Sequence, residues 1–276
     1  MGKCVHCDQP AGVFKKVHKE CAGIHKQGKQ QIVSLVSNFG MTDTELESLA
    51  ASVKKTAHES FIDKGTLQKL VAYAWHIAVE GAFEDGILTE IEENDLIGIK
   101  NQFSLTQTDL DKKGAFTKVV KGALLRDICE GTIPDRLTID GNLPFNFQKT
   151  EKIAWVFQNV DYFEEKTRSH YVGGSAGVSV RVAKGLYFRT GAFKGERVQS
   201  SETVHTDTGV MALTNKHIYF AGESKRFRIR FDKIVAFEPY SDGIGIQRDA
   251  ATAKLQSFVT NDGWFTYNLI TNLSQL

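Results

Sequence analysis

Cys4, Cys7, His18 and Cys21 place three sulfurs and one imidazole within eighteen residues, as a CxxC followed ten residues later by an HxxC. Four donors of this softness fill a tetrahedral shell, and thiolate-rich sets of this kind select zinc over the harder cations. With every position taken by protein, no place is left for water or substrate, so the expected cofactor is a structural Zn2+. Such a site supplies folding free energy directly, on the order of 10 kcal/mol at neutral pH, and can order a segment that has no core of its own. His6 and His25 are spare imidazoles. His6 sits between Cys4 and Cys7, where geometry disfavours it, and His25 needs a longer loop, which leaves His18 as the expected fourth ligand.

Other chemically competent residues form weaker patterns. His170, His205, Asp207 and His217 can in principle do acid–base work, but their spacing matches no familiar triad and no Ser or Cys stands in a nucleophile elbow. Cys129 is a lone cysteine near a helix end, expected to be buried rather than reactive. Asp85-Gly86 lacks the alternating oxygen ligands of an EF-hand because Ile87 takes the third position, so a helix-breaking turn is expected there. The run Gly173 to Gly177 lacks the Lys and the following helix of a phosphate loop and reads as a hairpin or strand-entry loop. Lys225, Arg226, Arg228 and Arg230 alternate with Phe227, Ile229 and Phe231, which puts a basic face on one side of a strand as a candidate ligand face.

Composition bounds the rest. The 276 residues are 41% hydrophobic and 24% charged, enough for two cores of ordinary domain size, and the net charge of +1 gives no overall field toward nucleic acid or membrane. Residues 1 to 30 carry six Lys against two acids, whereas residues 41 to 114 carry seven Lys against fourteen acids. Lysines around the metal cluster invite a nucleic acid reading. No recognition helix or aromatic-interleaved basic stripe accompanies them, so a partner-facing surface is expected instead. Three of the four cysteines sit in the metal spacing, which points to a reducing, cytoplasmic setting. No signal-peptide core or bilayer-length apolar run is present in the sequence.

The elements that must position these residues change character near residue 140. Before it the spacing is helical, with no proline between Pro10 and Pro134. Three starts share one form: Met41-Thr42-x-x-Glu45, Leu88-Thr89-x-x-Glu92 and Leu105-Thr106-x-x-Asp109, each able to close a capping box. Leu46, Leu49, Ala50, Val53, Ala57 and Phe61 predict one buried stripe. Leu67, Leu70, Val71, Ala74, Ile77 and Ala78 predict a second, and Leu110, Val119, Val120, Ala123, Leu124 and Ile128 a third. After residue 140, short Val-, Ile-, Phe- and Tyr-rich runs with glycine punctuation predict antiparallel strands, with Asp242-Gly243 at a hairpin turn. Leu269, Ile270 and Leu273 predict a terminal helix. The expected class is α+β: a zinc knuckle over 1–27, an all-helical bundle over 28–140 and an antiparallel β domain over 141–276.

Gly209-Val-Met-Ala-Leu-Thr214-Asn215-Lys216-His217-Ile-Tyr-Phe220 resembles the strand–turn–strand signature of the pleckstrin-homology-like superfold, in its GRAM-like and bacterial PH-like branches. That resemblance implies an open PH-like β-barrel capped by the C-terminal helix, used to bind lipids, peptides or proteins and hardly ever for catalysis. Phe83-Glu84-Asp85-Gly86-Ile87-Leu88-Thr89-Glu90-x-Glu92-Glu93 more weakly resembles the helix–turn–helix signature of the tellurite-resistance protein B-like helical family. The functional expectation is a non-enzymatic binding or regulatory protein that recognises a protein partner. One alternative is peripheral contact with anionic membrane through the Lys225 to Arg230 face, and another is an enzyme using the histidines of the β domain. Oligomeric state is not legible in the sequence.

Overall fold

The structure is a computed structural model that describes residues 2–12, 16–40, 45–135, 139, 141–165, 203–250 and 253–276, with 174–175, 178–183, 186–190 and 193–194 described as backbone strands alone. The chain divides into two compact units, Met1–Ala123 and Leu124–Leu276.

The first unit begins with a short hairpin, β1 (Gly2–Lys3) and β2 (Pro10–Gly12), and continues with α1 (Lys19–Ser37), α2 (Leu46–Glu59), α3 (Lys64–Ala82), α4 (Glu90–Gln102) and α5 (Gln107–Leu110). The next helix, α6 (Ala115–Cys129), runs across the division between the units. Side-chain caps set the starts of α3, α4 and α5. The Thr89 hydroxyl accepts from Glu92 N while Glu92 answers Thr89 N, and Thr106 and Asp109 do the same, so both predicted boxes form. Each satisfies two otherwise unpaired N–H groups, and such a cap contributes about 1 kcal/mol. Asp63 caps α3 by accepting from Thr66 N at 2.9 Å.

The box expected at Thr42 and Glu45 is different. Thr42 lies outside the described residues, and Glu45 is itself the extended N-cap of α2 with no side-chain cap bond, so it cannot stand at the third helical position of a box. The helix expected to run unbroken from Thr106 to Ile128 also divides. Lys113 (φ 63°) and Gly114 (φ 74°) take left-handed backbone between α5 and α6. There the Asp111 carboxylate accepts from both Thr117 N and Thr117 Oγ1 at 2.9 Å. At Asp85-Gly86, Asp85 Oδ1 accepts from Ile87 N and Gly86 has φ 84°, the turn expected from sequence.

The bundle core contains Ile32, Val36, Leu49, Val53, Val71, Ala74, Trp75, Val79, Leu96 and Ile99. Trp75 is fully buried and its indole N–H donates to Leu96 O at 2.8 Å, which ties α3 to α4. The stripe predicted for α3 is rotated: Trp75 and Val79 face the core, while Ile77 is exposed. Phe61 also leaves its predicted stripe. Its φ of 57° ends α2 and leaves its ring 36% exposed.

The second unit is built on seven antiparallel strands: β3 (Ile153–Glu165), β8 (Thr203–Thr214), β9 (His217–Gly222), β10 (Arg226–Arg230), β11 (Ile234–Pro239), β12 (Gly243–Arg248) and β13 (Gln256–Val259). Between β3 and β8 lie β4 (Gly174–Ser175) paired with β7 (Phe193–Lys194), and β5 (Val178–Ala183) paired with β6 (Leu186–Thr190). The sheet order is β10-β9-β8-β3-β13-β12-β11. Two meanders therefore join through the long first strand and the short last one. The helix α7 (Gly263–Leu273) follows, capped by Asp262, with Phe265, Leu269, Ile270 and Leu273 buried as its periodicity predicts.

This sheet is not closed into a barrel; where the resemblance implied an open barrel, the described strands form a seven-stranded antiparallel sheet with two edges. β10 and β11 are its two edges. They are joined by the turn Phe231–Lys233, and among the described residues β10 pairs with β9 alone and β11 with β12 alone. Tyr162, Phe220, Phe227 and Phe258 form one aromatic cluster, with ring centroids 5.0 to 6.2 Å apart. The Leu213 to Phe220 stretch lies on two interior strands, β8 and β9, and the turn between them.

Candidate metal centre

The CxxC begins at the end of β1. Cys4 N donates to Gln9 O at 2.8 Å and Asp8 N to Cys4 O at 3.0 Å, a tight knuckle in which Asp8 has φ 57°. This turn directs Cys4 and Cys7 to the same side. His18 is the extended N-cap of α1, and Cys21 is in the helix's first turn. HxxC at a helix start thus presents both side chains together, and the helix N-terminus favours anionic sulfur.

The four donor atoms of Cys4, Cys7, His18 and Cys21 all lie within 4.8 Å of one another. His18 Nδ1 is 3.3 Å from Cys7 Sγ and 3.7 Å from Cys21 Sγ. Zinc–sulfur bonds of about 2.3 Å and zinc–nitrogen bonds of about 2.0–2.1 Å at tetrahedral angles give a sulfur-to-nitrogen edge of about 3.6 Å. The observed separations bracket that edge. His18 Nε2 lies 3.0 Å from Pro10 O, and donating to that carbonyl leaves the Nδ1 lone pair aimed at the three sulfurs.

The electrostatics fit a cation as well. Burial raises the Cys4 thiol, but backbone N–H groups of His18, Cys7 and His6 point at its sulfur and bring it down to about 6. Cys21 is pushed up to about 11 by burial and by the neighbouring Cys7 and Cys4 sulfurs. One thiolate forms readily and the last resists, as expected where three sulfurs crowd together without a positive charge between them. Cys129 is different again. Burial and the nearby Glu130 push its thiol up to about 12, which suits an inert core residue.

His6 and His25, the spare imidazoles, stack on each other with centroids 4.5 Å apart, and His6 also stacks on Phe61 at 5.6 Å. His25 Nδ1 meets Ser60 O at 2.9 Å. Neither ring is in the donor cluster; together they seat the knuckle on α1 and the end of α2. CxxC and HxxC spacing does not reveal this second contact.

The described histidines of the β unit, His205 and His217, do not converge with Asp207 on one site. His217 is buried beside Glu151, whereas Asp207 sits near Gly222 and accepts from Ser224 N at 2.9 Å and Lys225 N at 2.7 Å. The six residues of β9 separate those two places by roughly 16 Å. His205 is exposed and meets Thr208 Oγ1 at 3.0 Å and Asp161 Oδ1 at 3.3 Å. His170 lies outside the described residues, as do Gly173, Ala176 and Gly177 of the glycine-rich run.

On β10, Arg226, Arg228 and Arg230 are exposed while Ile229 is buried, the alternation expected from sequence. Lys225 Nζ reaches Glu164 at 3.4 Å, and Arg230 makes a two-pronged contact with Asp232 at 2.9 and 2.8 Å. Among the described residues, no helix is long and apolar enough to cross a membrane. Comparison with known proteins finds no protein-family model that matches the chain and no curated protein that matches it.

Proposed function

We propose that this chain is a non-enzymatic binding or regulatory protein, ordered at its start by a structural zinc ion on Cys4, Cys7, His18 and Cys21 and recognising a protein partner through a PH-like β unit. The observation that carries the metal reading is the cluster itself: four protein donors within 4.8 Å, with the second imidazole nitrogen of His18 already bonded to Pro10 O. A shell filled by protein holds a fold and does not activate water. The PH-like reading is supported by the sheet order, two meanders joined through β3 and β13 and followed by α7, and by the Thr214-Asn215-Lys216-His217 turn between β8 and β9.

Metal analysis of the purified full chain tests the first part. About one zinc per chain is expected, lost to a strong chelator together with order in residues 2–21. Metal-free protein of equal stability overturns it. A second reading, contact with anionic membrane, is favoured by the exposed row Arg226, Arg228 and Arg230 on an edge strand. Salt-sensitive co-sedimentation with phosphatidylserine vesicles, lost on Arg226→Glu/Arg228→Glu, would establish it in place of protein recognition.

A further inference from the structure

The segment 145–152, which leads into β3, is held mainly by side chains. Phe145 and Phe147 pack on the Tyr219 ring, with centroids 5.5 and 5.0 Å away. Beyond them the Glu151 carboxylate is wholly buried. Its Oε1 accepts from Thr214 Oγ1 at 3.0 Å and from His217 Nδ1 at 2.5 Å. Its Oε2 accepts from Tyr219 Oη at 2.7 Å and from Gln148 N at 2.6 Å. Lys152 N donates to Asn215 Oδ1, Asn215 N donates back to Lys152 O, and Lys216 Nζ reaches Thr150 Oγ1 at 2.8 Å.

Three of the four groups around the carboxylate belong to one hairpin, and that hairpin fixes the Thr214 hydroxyl by itself. Thr214 Oγ1 accepts from Lys216 N at 3.1 Å and from His217 N at 2.9 Å, so the turn fixes the hydroxyl whether or not Glu151 is present. His217 and Tyr219 alternate on β9, which is paired on both sides, with β8 and β10. We propose that the β8–β9 turn is a preformed carboxylate receptor and that residues 145–152 are a latch occupying it in cis. Thr214, His217 and Tyr219 form the receptor, and Glu151 is its built-in ligand. Opening the latch frees a site for a carboxylate supplied in trans. This inference stands apart from the zinc reading, since none of its groups belongs to the metal cluster.

The intact chain at fixed neutral pH provides the first test. The backbone amides of Gln148 and Lys152, bonded to Glu151 Oε2 and Asn215 Oδ1, should exchange with solvent at least about tenfold faster than those of Met211, Ile218 and Phe220, because the latch opens without the sheet. Equal rates overturn the latch. Sodium formate should then raise the Tm of Glu151→Ala by about 2–4 °C, while sodium chloride at equal ionic strength and the Glu151→Ala/His217→Ala variant show no such rise. Absence of a formate-specific effect overturns the receptor. If Glu151→Ala does not fold, Glu151→Gln keeps the side-chain length. Trypsin should then cut that variant after Lys149 and Lys152 about tenfold faster than wild type. An unchanged rate overturns the proposal.

Discussion

The ring of His6 lies over the ring of His25, centroids 4.5 Å apart and planes tilted by 31°, so a residue inside the CxxC knuckle rests on the second turn of α1. The knuckle is therefore joined to the bundle by this stack as well as by the chain that runs through His18.

Replacing that ring should loosen the seating and leave the cluster intact. His6→Ala is expected to lower the unfolding free energy of the zinc-loaded chain by about 0.5–1.5 kcal/mol, the size of a ring-pair contribution. Metal content should stay at about one ion per chain. Urea unfolding together with metal analysis checks both.

Gly28 of α1 faces Ser60 at the end of α2 so closely that an added Cβ would collide with the Ser60 side chain. Gly28→Ala should therefore destabilise the bundle by about 1–3 kcal/mol, although alanine is the better helix former. Because the collision involves Ser60 Cβ as well as Oγ, Ser60→Gly in the same chain should recover much of the loss, whereas Ser60→Ala should not. Thermal unfolding of the three variants separates these outcomes.

Trp75→Phe removes the indole donor to Leu96 O from a fully buried site and leaves a small void. A loss of about 2–3 kcal/mol is expected, read from chemical unfolding. His76, the next residue, is only half-buried, so His76→Ala serves as a control with a smaller effect.

Asp207 should make the β unit sensitive to acid. Burial raises its carboxyl, but N–H groups of Lys225 and Ser224, the Ser224 hydroxyl and Thr208 N outweigh this and hold it below the ordinary range. A depressed folded-state value means that the stabilisation is fully present above the unfolded-state value of about 3.9 and fades as pH falls through the lower folded-state value. Wild type should accordingly exceed Asp207→Asn in stability at pH 7, with the gap narrowing only below about pH 4. Unfolding midpoints measured across that range check the sign.

What the sequence made legible follows from how local each cause is. The four metal donors lie within eighteen residues, and Thr89 and Thr106 each find their partner three positions on, so spacing alone places them. The C-terminal helix and the Asp242-Gly243 turn were readable for the same reason. Glu151 had no such signature. Its partners Thr214, His217 and Tyr219 are more than sixty residues away and become neighbours only once β3 pairs with β8. Ile77 and Trp75 show the other failure. Both are apolar on a helix with several apolar residues, and it is the position of α4 that decides which of them is enclosed. The openness of the sheet was implied by the resemblance alone, since nothing in the residues of β10 and β11 states whether those strands meet.

One helix carries both a sulfur of the metal cluster and part of the bundle core: α1 holds Cys21 in its first turn and Ile32 and Val36 farther along. An ion taken up at one end of that rod is thereby coupled to packing at the other. With zinc as the proposed ion, its free concentration would become a thermodynamic variable of the bundle by mass action, each tenfold rise above the dissociation constant adding about 1.4 kcal/mol to its resistance to unfolding. The melting temperature of the helical unit would then serve as a gauge of how much zinc surrounds it.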